Sequence, residues 1–365
     1  MLLLTEEIAV NNQFLKRIGS DAEKTAAACQ LIYVSDTQPG LTRIKKGDAF
    51  VYVDGGKRIK DKKTIERIKK LVIPPAWEKV WICKQENGHL QVTGIDIKGR
   101  KQYKYHALWS QLRNHTKFYR LYEFGKRLPA IRSQVEQDLS CPGLPLKKVL
   151  ATIVYLMEKT SIRIGNAMYE KLYGSYGLTT LKDQHVKISG STMQFVFKGK
   201  KGVKQNISLT SKRLAQIVKK CRDIPGKELF QYMDESGEYR CVDSGQVNDY
   251  IQELSKGDFT AKDFRTWTGT LHALRTFKEI GLAENKTAFK KNVVLTLDAV
   301  ARQLGNTRSV CKKYYVHPIL PTLYENQRLL KYFNELDELL KCAPEDQNCE
   351  ETVLLKILKK EKMAI

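Results

Sequence analysis

Between residues 48 and 105 apolar and polar positions alternate in short runs broken by turn residues, as in strands whose successive side chains point to opposite faces. Asp48 to Gly56, D-A-F-V-Y-V-D-G-G, reads as one β run closed by a hairpin-type turn at Asp54-Gly55-Gly56. A helical stretch over Lys63–Leu71 stops ahead of Pro74-Pro75, because proline pushes the preceding residue out of the α region. W-E-K-V-W-I-C and H-L-Q-V-T-G-I-D-I predict two further strands. G-R-K-Q-Y-K-Y-H, Gly99 to His106, is basic with interleaved aromatics, and at strand period Gln102 and Lys104 share one face while Tyr103 and Tyr105 share the other.

From about Lys117 the period becomes helical. Leu146, Val149, Leu150, Ile153, Val154 and Met157 form an i, i+3, i+4, i+7 stripe that runs into Arg163. Residues 185–209 return to alternation, with breaks at Gly190-Ser191 and Gly199-Lys200-Lys201-Gly202, and predict a small three-stranded antiparallel sheet. Helices resume after Gln246. Thr260 with Asp263 resembles a capping box, Val293 to Leu304 is a second apolar stripe, and Gly305 suits its C-terminal cap. Thr307 can cap a short helix that Pro318 terminates, and residues 322–365 predict one or two amphipathic helices. The fold class is therefore α+β: a small β-rich amino-terminal domain over 1–115 and a larger, mainly α-helical domain over 116–365 that carries a three-stranded sheet.

Charge narrows the partner. Among 365 residues, 63 are Lys or Arg against 40 Asp or Glu, a net +23, while 42% are apolar; this is a globular protein for a polyanion. The excess is uneven: residues 41–70 hold eleven basic and four acidic side chains, 98–127 hold nine and one, and 322–365 hold seven and nine. No apolar run is long enough to span a bilayer, so a membrane partner is not expected. Eight cysteines are scattered without a C-x-x-C pair, which predicts no zinc site and suits free thiols. Met1–Leu4 is too short for a signal segment and Glu6 and Glu7 follow at once, so an intracellular protein is expected.

The candidate chemistry lies in the helical half. Arg163 sits in S-I-R-I-G-N, Lys200 in F-K-G-K-K-G, Arg265 in D-F-R-T-W, Asn306 in L-G-N-T, and Tyr315 in Y-Y-V-H-P. A phosphodiester resists attack because the nucleophile meets negative charge and the transition state gathers more. Guanidiniums answer with fixed charge and a planar fork for two nonbridging oxygens. Any one of these arginines alone is more often a surface or ion-pair residue; the combination carries the reading. A phenol titrates near pH 10, and adjacent cations favour its ionised form. Tyr314 and Tyr315 are both available, and helical neighbours point about 100° apart, so one of them faces the arginines. A lysine on a Gly-flanked turn can protonate a leaving oxygen; Lys198 and Lys201 are alternatives to Lys200. Asn306 can donate to a nonbridging oxygen or simply cap a helix. The chain shows no D-x-D cluster for magnesium and no G-x-x-x-x-G-K-[ST] for ATP, so neither a metal nor a nucleotide cofactor is expected.

R-I-G-N, the G-K after two alternating strands, D-F-R-T-W and L-G-N-T-x₆-Y-Y-V-H-P resemble the catalytic motifs of type IB DNA topoisomerases of the compact bacterial and poxvirus-like branch. P-P-A-W and G-R-K-Q-Y-K-Y-H resemble the amino-terminal domain of the bacterial members, so the resemblance spans roughly residues 48–320. It implies Tyr315, directly before V-H-P, as nucleophile; Arg163 and Arg265 as transition-state arginines; Lys200 as general acid; and Asn306 where other branches carry histidine. It further implies DNA contacts from Gln102 and Tyr103, with Arg100 and Lys101 in the same basic stretch, and a backbone contact from Tyr169. Asn166 and Met168 stand where poxvirus enzymes have site-recognising lysines, so their sequence selectivity is not expected here. The implied enzyme is a monomeric C-shaped clamp on double-stranded DNA that relaxes supercoils through a 3′-phosphotyrosyl intermediate, without ATP or metal.

Two other protein classes share parts of this pattern. A tyrosine recombinase shares the covalent chemistry but normally has an H-x-x-R box near the second arginine, where this chain has D-F-R-T-W. A non-enzymatic basic DNA-binding protein would need none of the five residues.

Overall fold

A computed structural model describes residues 22–28, 30–47, 49–97, 99, 101–226, 228–342 and 348–361. The chain divides into two compact units, Met1–Tyr119 and Arg120–Ile365, and the division falls inside one long helix.

The first unit is built on a six-stranded antiparallel sheet. Its strands are Leu41–Lys46 (β1), Ala49–Asp54 (β2), Lys57–Arg58 (β3), Glu78–Ile82 (β4), Leu90–Ile95 (β5) and Lys101–Tyr105 (β6), in the order β3-β2-β1-β4-β5-β6. The turn at Gly55-Gly56 has φ of +54° and +86°, as the sequence predicts for that hairpin. Helix α1 is Ala22–Ala28, and helix α2, Lys62–Lys70, starts at Asp61, whose carboxylate accepts from Thr64 N at 2.8 Å. Ile68 of α2 packs with Leu41, Val80, Ile82 and Val92 on one face of the sheet. β1 was not anticipated. L-T-R-I-K-K has three cations and its two apolar residues fall on opposite faces, so it carries no period-2 signal, and its partners β2 and β4 supply the pairing.

β6 is an edge strand. Tyr103 pairs with Thr93 and Gln102 with Gly94; a β-carbon at Gly94 would meet Trp77 and Val80, so Gln102 lies on the α2 face and Tyr103 on the other. Lys101 pairs with Asp36 at 2.5 Å and lies 5.6 Å from the Tyr103 ring centroid, and Tyr103 stacks on Tyr105 at 6.1 Å.

Helix α3, Ala107–Leu139, begins ten residues before the helical period became visible at Lys117. The second unit continues with α4 (Leu146–Thr160), α5 (Ala167–Tyr173), strands β7 (Val186–Ser189), β8 (Thr192–Lys198) and β9 (Lys204–Thr210), and α6 (Lys212–Arg222). A hairpin of β10 (Gln231–Met233) and β11 (Tyr239–Cys241) precedes α7 (Ser244–Ser255), α8 (Ala261–Ile280), α9 (Lys286–Leu304), α10 (Arg308–Tyr314), α11 (Ile319–Glu325), α12 (Leu330–Cys342) and α13 (Cys349–Lys360). The sheet order β7-β8-β9 is the one read from residues 185–209.

The predicted stripe of α4 is buried at Val149, Leu150, Ile153, Val154 and Met157, and Ser161 ends the helix in the left-handed region. The Asp263 carboxylate accepts from Thr260 N at 2.8 Å, which starts α8, and Gly305 closes α9 at φ +56°. These boundaries matter because Arg163, Arg265 and Asn306 follow or sit on them. Helix α13 is tied to the rest by Glu351, which accepts from Arg132 at 2.7 Å and from the Trp267 indole at 3.1 Å. Although burial opposes its charge, Glu351 and Glu158 hold the Arg132 guanidinium above its usual range. Among the described residues no helix is long and apolar enough to cross a membrane.

Candidate active site

All five candidate side chains belong to the second unit, and the packing of α4, α8, α9 and α10 brings them to one place. Arg163, Lys200, Asn306 and Tyr315 line a cleft of about 1420 Å³, to which Lys159, Lys204, Lys262 and Arg302 add positive charge. Arg265 stands behind the wall, 5% exposed, with its guanidinium carbon 5.3 Å from the centre of the Tyr315 ring.

The arginines are held by helix ends. Arg265 Nη1 donates to the carbonyl of Ser161, the cap of α4, and Nη2 donates to Leu304 O, the end of α9, at 2.6 Å. Arg163 Nη2 donates to Gly305 O at 3.2 Å and to Asn306 Oδ1 at 2.6 Å. Carbonyls at helix C-termini carry partial negative charge, so they steady cations that burial would disfavour. Burial, and then the charge of Arg265, lower the Arg163 guanidinium to about 10. Burial also holds Arg265 below its usual range, with the Tyr315 phenol pulling the other way. Two donors in this group, Arg265 Nε and Asn306 Nδ2, are buried without a hydrogen-bond partner. Buried donors are normally paired, so two orphans in a group with excess positive charge mark a place suited to an anion's oxygens.

Helix α10 ends at Tyr314, and Tyr315 is its cap, so the two tyrosines are not helical neighbours in the simple sense the sequence suggested. Both line the cleft, but Tyr315 is the one beside Arg265, while Tyr314 lies 5.4 Å from Lys313. The Tyr315 backbone is tightly seated. Its N–H donates to Cys311 O at 2.9 Å, and the Thr270 hydroxyl lies 3.1 Å from its carbonyl while accepting from His317 N at 3.2 Å.

Lys200 occupies the β8–β9 turn as predicted, with Lys201 taking the left-handed conformation at φ 63°. Its ammonium lies 5.7 Å from the Tyr169 ring. Tyr169 is on α5, which Asn166 caps by accepting from Met168 N and Tyr169 N and which buries no residue of its own. Lys182 secures α5 from below, bridging Glu170 at 2.8 Å and Glu228 at 2.6 Å. Lys101, Gln102 and Tyr103 lie in the first unit, and Arg100 falls outside the described residues.

A family model described as "Eukaryotic DNA topoisomerase I, catalytic core" matches residues 106–338, and one described as "Bacterial DNA topoisomerase IB, N-terminal domain" matches residues 49–96. The "DNA topoisomerase 1B" of Acanthamoeba polyphaga mimivirus is 36% identical over 296 residues, covering 79% of this chain and 88% of that protein. The "DNA topoisomerase 1B" of Vaccinia virus (strain Copenhagen) is 25% identical over 273 residues, covering 72% of this chain and 82% of that protein. The chain belongs to the type IB DNA topoisomerase family.

Membership decides against the recombinase and against a purely architectural protein: this is a topoisomerase, an isomerase acting on DNA. Sequence reasoning about this topoisomerase overlooked several residues that the packing brings to the site. Gly269 and Thr270 seat Tyr315, Lys262 adds a cation one turn before Arg265, and Cys311 lies beneath both arginines. A glycine inside an otherwise strong helix, as in W-T-G-T, is the one available signal, since such glycines often mark a close backbone approach. Among the described residues no group of three or more His, Cys, Asp or Glu side chains is arranged to hold a metal ion.

Proposed function

We propose that this topoisomerase relaxes supercoils of either sign in duplex DNA by a transient single-strand break held on Tyr315, without ATP or metal. The Tyr315 Oη attacks the scissile phosphorus, a Tyr–O–P bond forms as the P–O5′ bond breaks, and the phenolic proton passes to solvent. Arg163, Arg265 and Asn306 stabilise the pentacoordinate phosphorane; fixed donors of this kind are each worth about 10²–10³ in rate. Lys200 gives a proton to the departing 5′-oxygen, which would otherwise leave as a strongly basic alkoxide. The free end rotates, the 5′-hydroxyl attacks the phosphotyrosine, and the strand is restored.

The observation that carries this reading is the Tyr315 ring 5.3 Å from the Arg265 guanidinium, whose Nε is buried without a partner, in a cleft that Tyr315 shares with Asn306. Two helix-end carbonyls offset the cost of burying Arg265 at 5% exposure, and its unpartnered Nε is left for a phosphate oxygen. All five groups come from one chain, which supports action as a monomer.

DNA is held mainly through its phosphates, with Tyr169 near the scissile bond and Lys101, Gln102 and Tyr103 engaging the duplex from edge strand β6. Side chains from both faces of an edge strand can reach one ligand, which reconciles the opposite orientations of Gln102 and Tyr103. Affinity should fall steeply with salt. The test is relaxation of negatively and positively supercoiled plasmid in EDTA without ATP. Wild-type protein is expected to relax both through a ladder of topoisomers, and denaturation should trap DNA on residue 315. Tyr315→Phe should bind DNA and relax none; relaxation by Tyr315→Phe with its loss in Tyr314→Phe would move the nucleophile to the neighbour.

A further inference from the structure

We infer that Gln205 is a positioning residue for Lys200, a spacer that registers the β8–β9 turn against the Gly305-Asn306 turn; this rests on Lys200 being the proton donor. Gln205 lies on β9 opposite Phe197, and its side chain runs along the floor of the cleft between two glycines. A β-carbon at Gly199 would stand 3.1 Å from Gln205 Cγ, and one at Gly305 would stand 2.9 Å from Nε2 and 3.1 Å from Oε1. Gly199 directly precedes Lys200. Gly305 directly precedes Asn306, and its carbonyl accepts from Arg163. One side chain therefore touches the backbone at the base of the acid's turn and at the base of the arginine–asparagine pair.

The turn is shaped by Gly199 N to Val203 O at 2.8 Å and Gly202 N to Gly199 O at 3.0 Å, and at its base Tyr176 N donates to Lys198 O at 2.8 Å. These bonds hold the turn to its own strands and to the Tyr176 segment, and none of them runs to the Gly305-Asn306 turn. Gln205 supplies the distance between the two turns. Its carboxamide makes one long hydrogen bond, Nε2 to Lys204 O at 3.5 Å, so it acts by filling space between two backbones rather than by a strong polar anchor. Lys200 must place one N–H on the 5′-oxygen as the P–O5′ bond breaks, becoming neutral, and recover that proton when the 5′-hydroxyl returns. An error of about 1 Å in such placement costs up to about a hundredfold.

The experiment is single-turnover cleavage of two otherwise identical duplexes, one with a 5′-bridging oxygen at the scissile phosphate and one with sulfur, which leaves as a thiolate and needs no proton. Gln205→Ala is expected to slow the oxygen substrate by roughly tenfold to a hundredfold and to leave the sulfur substrate near the wild-type rate. Gln205→Met, of similar length but without the amide, should behave almost as wild type on both. Equal slowing of both substrates by Gln205→Ala, or no slowing of either, overturns the proposal, and so does Gln205→Met as slow as Gln205→Ala. Lys200→Ala serves as the reference. If sulfur fails to rescue Lys200→Ala, the lysine is not the acid and the spacer has nothing to position; if it rescues Lys200→Ala but not Gln205→Ala, the spacer alone is wrong.

Discussion

Gly269 and Tyr315 meet backbone to backbone: a β-carbon at 269 would lie 2.7 Å from the Tyr315 carbonyl oxygen and 3.1 Å from its β-carbon. Gly269 is one turn after Arg265 on α8, so the same helix face carries the buried guanidinium and admits the tyrosine. Gly269→Ala gains about 1 kcal/mol of helix propensity but adds an overpacking cost of about 1–3 kcal/mol. Net stability should fall by about 0–2 kcal/mol, because a backbone carbonyl has to give way, and Tyr315 is pushed off its seat. Covalent-complex formation is expected to slow by about tenfold or more with DNA affinity nearly unchanged, measured by single-turnover cleavage beside filter binding.

Asn306 faces two ways, with Oδ1 accepting from Arg163 and Nδ2 buried and unpaired. Asn306→Ala should slow cleavage by about 10²-fold by removing one donor to the phosphorane. Asn306→Asp would pair more strongly with Arg163 yet set a negative charge against the phosphate. It is expected to be slower than Asn306→Ala, and rates of the two variants on one substrate check the order.

Burial pushes the Cys311 thiol up to about 11 from a usual value near 9, with Arg265 and Arg163 opposing the rise. Below pH 9 the thiol is neutral in folded and unfolded chains. Above it the unfolded chain ionises first, so the contribution to stability is lost as pH climbs through about 11. Denaturation midpoints should decline from pH 9 upward more steeply in wild type than in Cys311→Ala. At pH 8, iodoacetamide should label Cys311 only after unfolding, read by peptide mass.

Glu351 joins α13 to Arg132 and to Trp267, two residues beyond Arg265. Glu351→Gln leaves Arg132 with Glu158 as its remaining ion-pair partner. Because the Arg132 side chain keeps 30% exposure, solvent softens the loss to about 1–2 kcal/mol. Melting should fall by about 2–8 °C in a domain of this size, followed by circular dichroism.

Much of the second unit was legible locally. The stripe of α4, the Thr260–Asp263 cap, Gly305 and the turn carrying Lys200 each announce themselves within a few residues, because period and capping are short-range effects. β1, the β10–β11 hairpin and the early start of α3 were not legible, since charged or short segments take their structure from distant partners. The V-H-P motif singles out Tyr315 over Tyr314 by resemblance, whereas the helix that stops at Tyr314 and the arginine fifty residues earlier that lies beside Tyr315 were beyond local pattern.

Taken alone, the order of residues determined the main helices and the three-stranded sheet of the second unit, that the partner is a polyanion, and which chemical groups are available to break a phosphodiester. Tertiary structure decided which tyrosine sits against Arg265, that Gly269 and Thr270 seat it, and that Gln205 spans two turns. It also left Arg265 Nε and Asn306 Nδ2 buried and unpaired. Propensity and charge are properties of neighbours in sequence, whereas burial and convergence exist only once segments around residues 163, 205, 265, 306 and 315 have packed together.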